Sequence, residues 1–238
     1  GVLTLNGPST YTGSTTVDGG TLFFNNTTFA SASFVIGSGA VVEMKTNAIY
    51  SASTTTFSGA GTLRKSGIDT LVWQTPVVTF ALSSGALIDV QEGILTGGSN
   101  NNDVWTSNLS DLHVASGATF NGVEANVVVD VISGSGTISS GFNIVNYTSG
   151  AGFTIGADNG NGSFDGVIIN GSFPGKIVKV GTGTQKLTGA NTYTGTTTIN
   201  GGTLITTTNL TLNANRGIAM GASGGTFNQT SGTTLTYG

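Results

Sequence analysis

Residues 3–22, Leu3-Thr-Leu-Asn-Gly-Pro-Ser-Thr-Tyr-Thr-Gly-Ser-Thr-Thr-Val-Asp-Gly-Gly-Thr-Leu22, return nearly letter for letter at 185–204. Self-similarity of this kind means one supersecondary unit used repeatedly, each copy needing a stacked neighbour to bury its apolar face. Gly7 matches Gly189, the block Thr10-Tyr11-Thr12-Gly13 matches Thr192-Tyr193-Thr194-Gly195, and Gly19-Gly20-Thr21-Leu22 matches Gly201-Gly202-Thr203-Leu204. Each matched glycine is expected to mark a forced turn. Between the turns lie short runs of Thr, Val, Ile and Leu, which suit a pleated, half-buried surface and disfavour helix.

Weaker copies of the same grammar fill the interval. Phe57-Ser-Gly-Ala-Gly-Thr and Ile132-Ser-Gly-Ser-Gly-Thr share one theme, while Ser38-Gly-Ala-Val-Val42, Ser84-Gly-Ala-Leu-Ile88, Ser116-Gly-Ala-Thr-Phe120 and Ser231-Gly-Thr-Thr-Leu235 share another, a Ser-Gly turn launching a strand. Spacings of about 20 residues fit one coil of a β-solenoid, with coils stacked about 4.8 Å apart. About eleven such coils would make a rod roughly 50 Å long. Period-2 alternation points Leu3, Leu5, Val17, Leu22 and Phe24 inward, with Leu187, Ile199 and Leu204 in the second copy. Thr15, Thr16, Thr197 and Thr198 compete for outward sites or hydroxyl ladders. An antiparallel sandwich shares the alternation but does not need near-identical blocks.

Only 8% of the residues are charged, and glycine numbers 39 of 238, so Thr, Ser and Asn must solvate the surface. The 37% hydrophobic content, regularly spaced and with three prolines, suffices for a folded chain. With no cysteine, disulfides, thiol chemistry and Cys-ligated zinc are excluded. No apolar run approaches the roughly 18 residues of a membrane-spanning helix. The chain opens on Gly1 without a leader, which reads as a portion of something larger.

The stretch from Gly181 to Leu204, Gly-Thr-Gly-Thr-Gln-Lys-Leu-Thr-Gly-Ala-Asn-Thr-Tyr-Thr-Gly-Thr-Thr-Thr-Ile-Asn-Gly-Gly-Thr-Leu, closely resembles the autotransporter-associated β-strand repeat, also called the passenger-associated transport repeat. Residues 1–22 resemble a second copy without its leading portion. Phrases at 155–168 and 216–227 resemble parts lying between repeats in such proteins. The resemblance implies an all-β, right-handed parallel β-helix belonging to a large secreted or surface-displayed bacterial passenger, and it brings no catalytic residue or cofactor. The expected organisation is one continuous solenoid segment over 1–238, with strong copies at 1–22 and 181–204, uncapped at both ends and part of a longer chain or assembly.

All seven basic residues, Lys45, Arg64, Lys65, Lys176, Lys179, Lys186 and Arg216, flank an interval from 66 to 175 that has none. That interval holds Asp69, Asp89, Glu92, Asp103, Asp111, Glu124, Asp130, Asp158 and Asp165. Such a belt argues against nucleic acid, whose phosphates need Lys and Arg. A solvated acidic face is the simpler reading, with cation contact as the functional one. Asp158, Asn159, Asn161 and Asp165 are weak calcium candidates on a glycine-rich loop that lacks the EF-hand and β-roll patterns. His113 beside Asp111 invites a base-plus-orienter reading, yet a lone strand histidine is an ordinary structural residue and no G-x-S-x-G elbow is present. Tyr11, Tyr193, Trp73 and Trp105 could stack on sugars, although scattered aromatics usually belong to a core.

These features point to a non-enzymatic structural rod, a fibre, matrix, spacer or adhesin stalk. Its expected partners are neighbouring turns or copies of itself, end to end, and cell-surface glycans. A glycan-binding adhesin and a polysaccharide-acting β-helix enzyme are the alternatives.

Overall fold

The computed structural model describes residues 1–45, 49–50, 54–73, 78–97, 102–105, 107–122, 126–140, 152–212 and 217–237. Glu124 and Arg216, both part of the charge pattern above, lie outside them.

The short β-branched runs form strands because each has a copy of itself to pair with one coil later. Eleven of them, Val2–Leu5, Thr21–Asn25, Val41–Lys45, Thr62–Ser66, Leu87–Val90, Asp111–Val114, Ile132–Gly134, Gly162–Phe164, Thr184–Leu187, Thr203–Thr206 and Thr226–Gln229, build one long parallel sheet in sequence order. Ten steps of about 4.8 Å give this sheet a length of roughly 48 Å. Three shorter sheets close the sides, and a further two-stranded sheet pairs Leu210–Leu212 with Leu235–Tyr237. Of the three, one holds Ser14–Val17, Ser33–Ile36, Thr55–Gly59 and Val78–Leu82; the second runs from Ile49–Tyr50 to Val167–Asn170; the third runs from Val127–Val129 to Ile218–Met220. Every strand pair among the described residues is parallel, so the fold is an all-β solenoid. A short 3₁₀ helix, Asn102–Trp105, sits in the chain between the last strand of the first flank and the first of the third.

The period starts as expected and then stretches. Val2 lies opposite Thr21, Thr21 opposite Val41 and Val41 opposite Thr62, steps of about 20 residues. Thr62 to Leu87 is longer, and Gly134 meets Phe164 only after 30 residues.

Alternation fills the interior. Leu22, Val42, Leu63, Ile88, Leu112 and Ile132 stack in one inward column, all buried. Val17, Phe24, Leu187, Ile199 and Leu204 are also buried as expected. Leu3 is not: it is in register with Leu22 but 62% exposed, because no coil is stacked on its other side. Leu5 is half-buried against the core. Through the first two-thirds of the rod the core is aromatic. Phe24, Phe29, Phe34, Phe57, Trp73, Phe80, Trp105, Phe120 and Phe153 form an unbroken series with neighbouring centroids 4.1–6.4 Å apart, all but the stacked Phe80–Trp105 pair within the usual range for edge and offset contacts.

Candidate functional site

The repeat motif has a definite geometry, the same in both copies. The Tyr11 hydroxyl meets Thr15 Oγ1 at 2.6 Å, and the Tyr193 hydroxyl meets Thr197 Oγ1 at 2.7 Å. This sorts the threonines: Thr15 and Thr197 turn toward the tyrosine, while Thr16 and Thr198 face outward. The Thr21 N–H donates to the Gly1 carbonyl and the Thr203 N–H to the Gly183 carbonyl, at 2.9 and 3.0 Å. Gly20 and Gly202 occupy the left-handed region, at φ +73° and +58°, so this corner is a forced turn in both copies.

Gly7, Gly13, Gly189 and Gly195 also lie at bends of the chain, but without a positive φ in that range. In the second copy they are required by close backbone approach. A Cβ at Gly189 would collide with the Gly166 carbonyl, and one at Gly195 with the Gly175 carbonyl. Around Gly7 and Gly13 there is open space. Gly19 is likewise unobstructed, whereas Gly201 lies against Gly181. Leu22 and Leu204 anchor the last strand of each copy in the core.

Three of the four calcium candidates have a side-chain oxygen engaged by the protein itself. Asn159 Oδ1 accepts the Thr182 N–H at 2.9 Å and Asn161 Oδ1 the Thr184 N–H at 2.8 Å, one coil on. Asp165 Oδ1 accepts the Thr188 hydroxyl at 2.6 Å. The loop is organised by Asp130, read in the sequence only as a member of the acidic belt, whose Oδ1 accepts the N–H groups of Asp158 and Gly160 at 2.7 and 3.0 Å. Among the described residues no group of three or more His, Asp or Glu side chains is placed to hold a metal ion.

The acidic belt is partly a paired row. Arg64 Nε lies 2.8 Å from Asp89 Oδ2, and its NH1 lies 3.7 Å from Glu43 Oε2. In register, Asp89, His113 and Ser133 follow one another across three strands. His113 Nδ1 is 3.1 Å from Ser133 Oγ. Asp89, however, takes Arg64 on one oxygen and the Gln91 amide on the other. Asp111, on the same face as His113, accepts the Val131 N–H at 3.2 Å. Burial raises the Asp111 pKa above its usual value; that bond opposes the shift, and nearby Asp130 and Asp158 add to it.

Two of the seven basic residues, Lys65 and Lys179, are buried. Lys65 Nζ donates to the carbonyls of Gly67, Ser66 and Glu92 at 2.6, 2.7 and 3.3 Å, and Lys179 Nζ to that of Val180 at 2.5 Å. Burial lowers both pKa values, against the pull of Asp69 and Glu92 on Lys65 and of Asp130 on Lys179. Alternation carried the signal: Lys65 is two residues after inward Leu63, and Lys179 two after inward Ile177. Trp73, Trp105 and Tyr193 are buried, which withdraws them as sugar platforms and leaves Tyr11 exposed. No helix among the described residues is long and apolar enough to cross a membrane.

The chain shows no significant match to a curated protein or to a solved structure. The passenger-associated-transport-repeat family matches it at residues 1–22 and 177–205, the two segments whose tyrosine–threonine bond and glycine corner coincide. The chain is thus a parallel β-solenoid in which two segments, one in its first coil and one from residue 177 onward, match the passenger-associated transport repeat.

Proposed function

We propose that this chain is a stiff, non-enzymatic rod within a bacterial passenger that is secreted or displayed on the cell surface, serving as fibre, matrix, spacer or stalk. The observation that carries the reading is the long sheet, eleven parallel strands in sequence order with the transport repeats set into it. A solenoid of this kind makes its contacts chiefly between neighbouring coils and spans distance rather than enclosing a cavity. The hydrogen bonds that occupy Asp89, Asp111, Asp130 and Asp165 favour structural over catalytic use of the acids. Further coils, from the same polypeptide or a second copy, are the partners assigned to the apolar face of the first coil, where Val2 and Leu3 are exposed.

Antibodies against this chain should label intact source cells or their culture medium, and external protease should remove the cell-bound signal. Labelling only after lysis would end the reading. Cleavage of a polysaccharide by the purified chain, lost in Asp111→Ala, would replace it with the enzymatic one.

A further inference from the structure

The long sheet has one place where its backbone ladder nearly fails. Between Ile132–Gly134 and Gly162–Phe164 only Gly134 and Phe164 are in register, after the longest coil of the rod. In an unbroken parallel ladder, the Ile132 N–H and C=O would pair with the strand containing Gly162. Both are instead bonded by one side chain from the coil beyond. Gln185 Oε1 accepts the Ile132 N–H at 3.1 Å, and Gln185 Nε2 donates to the Ile132 carbonyl at 3.0 Å, across 53 residues. Gln185 is 1% exposed. Gly162 lies opposite it in register and has no side chain to block the passage; a Cβ there would sit 3.2 Å from Gln185 Oε1 and collide with Val131.

A second buried carboxamide links two strands at the other irregular junction, where the flank ending at Val78–Leu82 gives way to the one beginning at Val127–Val129. Asn108 Oδ1 accepts the Leu82 N–H at 3.3 Å, while its Nδ2 donates to the Val128 carbonyl at 2.9 Å. A primary carboxamide offers one acceptor and a donor group on a planar frame, the same functions as a peptide unit.

We infer that Gln185 and Asn108 are surrogate peptide units that close the two interruptions of the solenoid, and that Gln185 makes the opening of the long sheet at Ile132 depend on the coil that carries the second transport repeat. The other sheets keep the adjoining coils paired there, through Thr137–Ser140 with Val167–Asn170 and Val127–Val129 with Gly152–Ile155. The clasp therefore governs one face: without it, two buried polar groups of Ile132 lose their partners and a strand edge is left open.

Amide hydrogen exchange on the 238-residue chain tests this. In the unmodified protein, the Ile132 amide should exchange with the urea dependence of Lys186 and Leu187, because its opening requires theirs. In Gln185→Leu its protection should fall at least about tenfold while that of Leu63 is unchanged. Gln185→Glu, which keeps an acceptor for the N–H but loses the donor to the carbonyl, should fall between the two. Ile132 exchange that is independent of urea in the unmodified chain overturns the inference, whether or not the variants fold. So does retained Ile132 protection in Gln185→Leu, or an equal loss at Ile132 and Leu63.

Discussion

The two repeat copies have nearly the same residues and the same internal bonds, yet one is a surface and the other a core. Tyr11 is 43% exposed and Tyr193 2%, although both hydroxyls hold the threonine four residues on. Gly7 and Gly13 face open space where Gly189 and Gly195 press on carbonyls of the preceding coil. Local sequence therefore dictates the shape of a coil, and stacking supplies its burial. One inward position separates the copies chemically. Leu3 stands where the second copy has Gln185, so the copy with a coil beneath it carries the residue that reaches through that coil.

The largest test of this difference is removal of the ring. Tyr193→Ala should cost about 3–5 kcal/mol, as for other buried aromatics, and Tyr11→Ala less than about 1 kcal/mol, read from urea midpoints of the isolated chain. Equal losses would mean that the first coil is covered in solution, which a concentration-dependent midpoint would expose. Adding a methyl group is the next step down. Gly189→Ala should cost about 1–3 kcal/mol or more by forcing two coils apart, whereas Gly7→Ala, with nothing nearby, should stay within about 0.5 kcal/mol. A large effect at Gly7 would show that the motif glycines act through conformation after all.

How far the sequence revealed this depended on whether a feature was local. Repetition and alternation were enough for the parallel solenoid and for the buried positions Leu22, Phe24, Ile199 and Leu204, because strand pairing between copies follows from the copies being alike. Alternation also held the burial of Lys65, Lys179 and Gln185, but residue type overruled it: lysine and glutamine read as solvent-facing unless their partners are visible. The lysines turn mainly onto carbonyls one or two residues on, with Glu92 a coil away from Lys65, whereas Gln185 reaches Ile132 across 53 residues, a partner no spacing rule identifies. The roles of Asp130 and Asn159 were hidden for the same reason. The stretched coil between Gly134 and Phe164 left no regular spacing to read.

A finer cut removes only the hydroxyl. Tyr193→Phe leaves Thr197, 3% exposed, without its tyrosine partner, and should cost about 1 kcal/mol. Tyr11→Phe should fall within about 0.5 kcal/mol because water replaces the lost partner. Similar costs in both copies would indicate that the bond, rather than burial, sets the contribution of the motif.

The smallest effect should be a pH dependence that the second copy carries and the first does not, beside that of buried Lys65 outside both. Lys179 lies inside that match and has its pKa lowered from 10.5, first by burial, so its charge is disfavoured in the folded state. The folded chain then releases a proton at lower pH than the unfolded chain, and between those two values the unfolded state binds more protons. Stability attributable to this group must rise with pH through the window that ends near 10.5. Lys179→Met should flatten that rise in urea midpoints taken from neutral pH to about pH 10, a change of about 2 °C or less in parallel melting curves. A steeper rise in the variant would mean that Asp130 outweighs burial and holds the ammonium in place.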